Sequence, residues 1–175
     1  MSIQNEMKDR YRRGMLYPLK PQSPFADMLR TMLVDESLWK ELCSPEGDLE
    51  WETRIGELRA DLEDFCVSPA IHPRYLFLLY PARDAVWEIR SVQRPSLRVL
   101  GLFAMKDVYV ATKIARRSDL GGWQSREWKI VKRAAKAAWR RLFPTYDAVV
   151  TANVHDVVTG ALDGHFYARR QNSSS

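Results

Sequence analysis

Hydrophobic positions recur at helical spacing in the N-terminal part of the chain. Between Ser23 and Cys43 apolar residues return every three or four positions, and Ser23 followed by Pro24 is a typical helix start. A second amphipathic stretch, about 49–65, follows the break "SPEGD" and carries acidic residues on its polar side. The pattern predicts a helical hairpin over 23–66.

After the proline-marked connection "VSPAIHPR" the spacing becomes that of strands. Four short runs, "YLFLLYP", "AVWEIRSV", "LRVLGLFA" and "DVYVATKI", are rich in β-branched and aromatic residues and are separated by gaps short enough for hairpins. They predict an antiparallel meander of three or four strands within 75–115. Beyond "SDLGG", helical spacing returns and predicts a helix over 124–143. The predicted fold class is α+β, a helical hairpin packed on a small twisted antiparallel sheet with a basic C-terminal helix.

The two ends of the chain have less pattern. Residues 1–22 are polar, basic and interrupted by prolines, which predicts a flexible basic arm. Residues 144–175 are predicted to form a C-terminal extension that ends in the disordered tail "RRQNSSS". The first residues lack the apolar stretch of a signal peptide, and no apolar run approaches the length of a membrane span. We therefore expect a cytoplasmic protein that does not contact a membrane.

Charge separates the chain into two blocks. Residues 26–66 contain twelve acidic and four basic residues, a net charge of −8, whereas residues 86–141 contain fourteen basic and four acidic residues, a net charge of +10. The basic block indicates binding to a polyanion. The acidic block has three interpretations: it shields the basic block, it faces a different partner, or it is a solvated helical surface.

Most familiar site chemistries are not indicated. The two cysteines form no CxxC pair, the three histidines are scattered, and no nucleotide-binding or metalloprotease motif occurs. The acidic residues lie mostly outside the basic block, so a carboxylate cluster for Mg²⁺ is not expected there. The sequence predicts neither a metal nor a cofactor.

Cations at strand ends remain as the candidate site. They are Arg90, Arg98, Lys113, Arg116 and Arg117. The predicted C-terminal helix adds cations at spacings of three and four, namely Arg126, Lys129, Arg133, Lys136 and Arg140. Guanidinium groups bind phosphate through two hydrogen bonds and stabilise the extra charge of a phosphorane-like transition state. A metal-independent ribonuclease would use such a cluster, although solvated surface arginines need no ligand.

The stretch "AVWEIRSVQRPSLRVLGLFAMKDVYVATKIARRSD", followed by a basic helix, resembles the RelE/HigB superfamily of type II toxins, especially its phage-derived branch. The resemblance covers about 49–142. It implies an mRNA endonuclease that needs no metal, often acts in the ribosomal A site, and is inhibited by a small antitoxin protein. It also implies that Arg90, Arg98, Arg116 and Arg117 are the catalytic or RNA-contacting cations. To these the strand spacing adds Lys113 and Tyr109 as nucleic-acid-binding residues.

The chain departs from the family pattern at both ends, and the family's usual first strand, just before the helical hairpin, is not evident in the sequence. Two alternatives therefore stay open: a non-catalytic, phage-encoded nucleic-acid-binding module, and a protein–protein adaptor with one acidic and one basic face. A further hypothesis is that the acidic hairpin, or the segment after Pro144, lies across the basic face in the free protein.

Overall fold

The computed structural model describes residues 1–122 and 124–167. In chain order its helices and strands are α1 Ile3–Arg12, β1 Leu16–Pro18, β2 Thr31–Asp35, α2 Glu36–Cys43, α3 Leu49–Val67, β3 Leu76–Leu78, β4 Trp87–Arg90, β5 Leu97–Met105, β6 Val108–Arg116 and α4 Arg126–Leu142. Short 3₁₀ helices lie at Ala82–Asp84, Arg117–Leu120 and Val154–Asp156. The α+β class predicted from the sequence is therefore confirmed.

The strands form one six-stranded sheet in the order β1-β2-β6-β5-β4-β3. The predicted meander is present as β3 to β6, and all its neighbouring pairs are antiparallel. The prediction of a small, wholly antiparallel sheet is wrong, because β2 joins β6 in parallel and β1 pairs with β2. A parallel pair needs a long crossover, and here the crossover contains α2 and α3.

The predicted helix over residues 23–43 is a strand followed by a shorter helix. Met32 and Val34 alternate into the core within β2 and are fully buried. Asp35 then caps α2 by accepting a hydrogen bond from the N–H of Leu38 at 3.0 Å. The apolar run fits both a helical and a strand period, and pairing with β1 and β6 decides for the strand. The second predicted helix is confirmed as α3.

The prediction of a flexible basic arm over 1–22 is also wrong. Ser2 caps α1, and Nε of Arg10 in this helix donates a hydrogen bond to the carbonyl of Leu142 at 2.7 Å. Leu16 in β1 and Leu19 just after it are fully buried. These apolar side chains and the hydrogen bond fix the segment to the rest of the domain.

Helices cover both faces of the sheet. On one face α2 and α3 pack with the segment 149–166, whose Val157 and Val158 are fully buried. On the other face α4 and α1 pack. Residues 144–167 are therefore part of the domain and not an extension, while the predicted tail lies outside the described residues. No helix in the described part of the chain is long and apolar enough to span a membrane.

The acidic and basic helices lie on opposite faces of the sheet. The acidic α3 packs against the face that holds Trp87 and Phe103, and the basic α4 packs against the face that holds Leu100 and Val110. The hypothesis that the acidic hairpin lies across the basic face is therefore wrong, because the sheet separates the two surfaces.

Candidate functional site

Helix α4 covers only one end of its sheet face. It crosses the sheet from Trp128, which shares a small pocket with Leu79, to Leu142, which contacts α1. The uncovered end of the face lies where β4 and β6 end and β5 begins. A cavity of about 560 Å³ opens there. We call it the arginine cavity, since its lining includes Arg74, Arg90, Arg94, Arg98 and Arg117 together with Ser91, Ser96 and Ser118.

The pairing of β4 with β5 places two of these cations side by side. Arg90 and Arg98 are directly opposite each other in the ladder, an arrangement that is destabilising for like charges. Glu88, on the same face of β4 and only 2% exposed, compensates for it. Its carboxylate lies 2.6 Å from Nε of Arg90 and 3.6 Å from Nε of Arg98. The guanidinium of Arg90 also lies over the ring of Phe77, 4.4 Å from its centroid.

One carboxylate does not neutralise the cavity. Its five guanidinium groups and the carboxylate of Glu88 leave a formal charge of +4. Burial lowers the pKa of Arg98, Glu88 opposes that shift, and Arg90 and Arg117 lower the pKa further by repulsion. Since arginine stays protonated in proteins, the repulsion is a cost that a bound anion would relieve.

Side chains of helix α3 bind the loop between β4 and β5 through hydrogen bonds. Arg54 is only 6% exposed, and its Nη2 donates a hydrogen bond to the carbonyl of Gln93 at 2.9 Å. Asp61 accepts a hydrogen bond from the N–H of Val92 at 3.0 Å. Burial raises the pKa of Asp61, and the hydrogen bond from Val92 opposes that shift. These contacts position the loop that carries Arg94 into the cavity wall.

Arg54→Met should loosen this loop, because the substitution keeps the side-chain volume but removes the donor to the loop carbonyls. We expect the free energy of unfolding to fall by about 2 kcal/mol and amide hydrogen exchange across residues 91–96 to accelerate. Arg59→Met, on the same helix, removes the same charge without touching the loop and is the control. Equal exchange rates at residues 91–96 in Arg54→Met and wild type would contradict the positioning role.

Two predicted cations do not line the arginine cavity. The guanidinium of Arg116 lies over the ring of Trp51 in α3, 4.5 Å from its centroid. Lys113 is exposed and lines a groove beside α2. The structure therefore brings Arg90, Arg98 and Arg117 together and leaves Arg116 and Lys113 apart from them.

Tyr109 contradicts its predicted role as a nucleic-acid contact. It is fully buried, with its hydroxyl 2.9 Å from the carbonyl of Trp87 and 3.2 Å from that of Val99. Burial raises its pKa well above the ordinary value, and Glu88 raises it further. Alternation misled the prediction because helices cover both faces of β6 here, so Tyr109 and Val110 are both buried.

The predicted cations of α4 form a second basic surface, the α4 ridge. Its exposed members are Arg126, Lys129, Arg133 and Arg140. Lys136, the fifth predicted member, is half-buried and pairs with Asp84 at 2.7 Å. Asp84 lies before the start of β4, whereas Arg90 lies at its end. The side of α4 that holds Lys136 and the arginine cavity therefore lie toward opposite ends of that strand.

Sequence reasoning missed two cations of the cavity, Arg74 and Arg94. Both belong to proline-containing connections, "HPR" before β3 and "QRPS" between β4 and β5. Hairpin geometry could have identified these two arginines, since β3 begins, β4 ends and β5 begins at the same end of the meander. Arginines in these connections therefore meet the arginines at the strand ends.

The cavity can bind and polarise an anion, but its lining offers little for proton transfer. Guanidinium and hydroxyl groups line it, and the carboxylate beneath them is buried and ion-paired. Within residues 1–122 and 124–167, no group of three or more His, Cys, Asp or Glu residues is arranged to hold a metal ion. Comparisons with protein-family models, curated protein sequences and solved structures find no match to this chain.

Proposed function

We propose that this chain binds RNA by its phosphate backbone in the arginine cavity. The observation that carries the proposal is the convergence of five arginines over a single buried carboxylate. Arginine matches phosphate through bidentate hydrogen bonds. The serine hydroxyls between the arginines add donors and acceptors for phosphate or ribose oxygens.

A metal-independent ribonuclease of the RelE/HigB type is the second candidate. Two observations favour it: three of the four expected cations, Arg90, Arg98 and Arg117, share one cavity, and β2 precedes α2 and α3 directly, where the family has its first strand. In this proposal the protein is a cytoplasmic toxin that cleaves ribosome-bound mRNA and is inhibited by a small antitoxin. Binding without cleavage ranks first, because no histidine, lysine or tyrosine lines the cavity in the part of the chain that the structure describes.

RNA affinity of two matched double variants tests which basic surface binds. Arg94→Ala/Arg117→Ala removes two cations from the cavity, and Arg126→Ala/Arg133→Ala removes two from the α4 ridge. With a fluorescein-labelled 12-nucleotide RNA, fluorescence anisotropy should show at least a tenfold loss of affinity for the cavity variant. The ridge variant should lose less than threefold. Equal losses, or a loss only in the ridge variant, would overturn the proposed site.

Cleavage separates the two candidates. Purified protein is incubated with mRNA and translating ribosomes in the presence of EDTA, and the mRNA ends are mapped. Cleavage that is lost in Arg98→Ala but kept in Arg116→Ala supports the ribonuclease, since Arg116 lies outside the cavity. Salt-dependent binding without cleavage supports the binding module. If neither RNA nor DNA is retained at low salt, both candidates fail and the adaptor interpretation gains.

A further inference from the structure

The second half of β6 is an open strand edge, because the neighbouring strand β2 ends before β6 does. Strand β2 pairs with β6 only as far as Val34 opposite Ala111, and the chain then turns into α2. Among residues 1–122 and 124–167, only β5 pairs with β6 from Thr112 to Arg116, and it does so on one side. At about 3.3 Å per residue, this open edge is about 16 Å long.

The backbone groups along this edge are free to pair with another strand. The N–H of Arg117 donates to the carbonyl of Ser96 in the β5–β6 ladder. In an antiparallel ladder this direction alternates, so the N–H and C=O of Ile114 and Arg116 point to the opposite, open edge. Among the residues that the structure describes, none forms a backbone hydrogen bond with Ile114 or Arg116 on that side. An unpaired edge of this kind is a template for strand addition.

A groove of about 610 Å³ runs beside the open edge. The edge forms one wall, with Lys113 and Arg116, and α2 together with the turn that leads to α3 forms the other. The opposite wall is acidic, since Glu41, Glu46 and Asp48 all line it. The indole of Trp51 closes the groove at the end where the guanidinium of Arg116 stacks on it.

We propose that this edge binds an extended, lysine- or arginine-bearing segment of a partner protein as an added β-strand. The backbone of the segment pairs with Ile114 and Arg116, and its basic side chains face Glu46 and its acidic neighbours. The acidic wall disfavours RNA, and a second copy of this chain would bring two acidic walls together. The groove opens on the α2–α3 side of the sheet, whereas the arginine cavity opens on the α4 side. The two surfaces are therefore available at the same time.

Synthetic peptides test both parts of this proposal. The probe is a fluorescein-labelled heptapeptide of alternating lysine and valine, and the first control has the same sequence with alternate backbone nitrogens methylated. We expect the methylated peptide to bind at least tenfold more weakly, because it cannot complete the ladder, and a glutamate–valine peptide to bind more weakly still. Hydrogen exchange at the amides of Ile114 and Arg116 should slow when the lysine–valine peptide is added.

Matched protein variants locate the site. Glu46→Lys reverses a charge on the acidic wall and should weaken the lysine–valine peptide at least fivefold, whereas Glu52→Lys, which lies outside the groove, should not. Equal affinity for the methylated and unmethylated peptides would overturn strand addition and leave only charge attraction. Absence of binding by either peptide, or a dimer in sedimentation that competes with the peptide, would overturn the partner-segment proposal.

Discussion

Glu88→Gln should lower the free energy of unfolding by about 3 kcal/mol and, in the same protein, tighten RNA binding. The buried carboxylate of Glu88 lies beside the guanidinium groups of Arg90 and Arg98 and reduces their mutual repulsion. Glutamine keeps the size of the side chain and loses the charge, so the two arginines are left partly buried without a counter-ion. A bound phosphate then supplies the missing negative charge. Urea denaturation measures the first effect and fluorescence anisotropy with RNA measures the second.

The two effects have opposite signs, and this separates them from general damage to the fold. Inorganic phosphate should stabilise both proteins against urea, because only the native state offers the site. The stabilisation should be larger for Glu88→Gln, because the bound phosphate supplies the negative charge that this variant lacks. Glu127→Gln, an exposed position in the first turn of α4, serves as the control and should change neither quantity appreciably. Weaker RNA binding by a folded Glu88→Gln protein would contradict the role assigned to Glu88.

Arg30→Met is expected to cost about 3–5 kcal/mol of unfolding free energy, the largest loss from a single substitution outside the cavity. Arg30 is 2% exposed, and its guanidinium donates hydrogen bonds to the carbonyls of Phe65 and Ser68, both at 2.8 Å. It also donates to the carbonyl of Thr159 at 2.5 Å. Burial lowers its pKa, and the nearby carboxylate of Asp107 opposes that shift. The side chain therefore joins the end of α3 to the C-terminal segment.

Methionine fills the space of Arg30 but leaves three buried carbonyl oxygens without a donor. The loss should appear as a lower midpoint in urea denaturation, and RNA affinity measured below that midpoint should stay within twofold of wild type. Arg30→Lys, which retains a charge but has fewer donors with a different geometry, should be intermediate. A loss below about 1 kcal/mol for Arg30→Met would show that the C-terminal segment is held by other contacts.

The sequence predicts those elements in which the spacing of hydrophobic residues fits only a helix or only a strand. Helix α3 shows this, since Ile55, Leu58, Leu62 and Phe65 lie on one buried face. Strand β2 could not be predicted in this way, because its apolar residues continue into α2 at a spacing that also fits a helix. Its strand conformation depends on pairing with β6, which lies more than seventy residues later in the chain.

The candidate site was likewise predictable where its residues are close in sequence and not where their positions depend on distant parts of the chain. Arg90 and Arg98 could be placed together because a short hairpin joins their strands. For Arg116 and Arg117 the alternation of side chains along a strand already implies opposite faces, so at most one of them could join the cluster. Which of the two joins it depends on the register between β5 and β6, which pairs Arg98 with Ala115 and so places Arg117 on the face of Arg98. A β-bulge beside Gly101 sets that register, and the local sequence does not specify it.

The salt dependence of RNA binding reports how many phosphates the arginine cavity neutralises. The association constant for a 12-nucleotide RNA is measured between 50 and 300 mM KCl for wild type, Arg94→Ala/Arg117→Ala and Arg126→Ala/Arg133→Ala. If the cavity binds the backbone, each phosphate that the variant no longer neutralises lowers the magnitude of the slope of log K against log salt by about 0.7. The slope should therefore fall by about 1.4 for the cavity variant and stay nearly constant for the ridge variant. An unchanged slope in the cavity variant would show that the arginine cavity does not bind the RNA backbone.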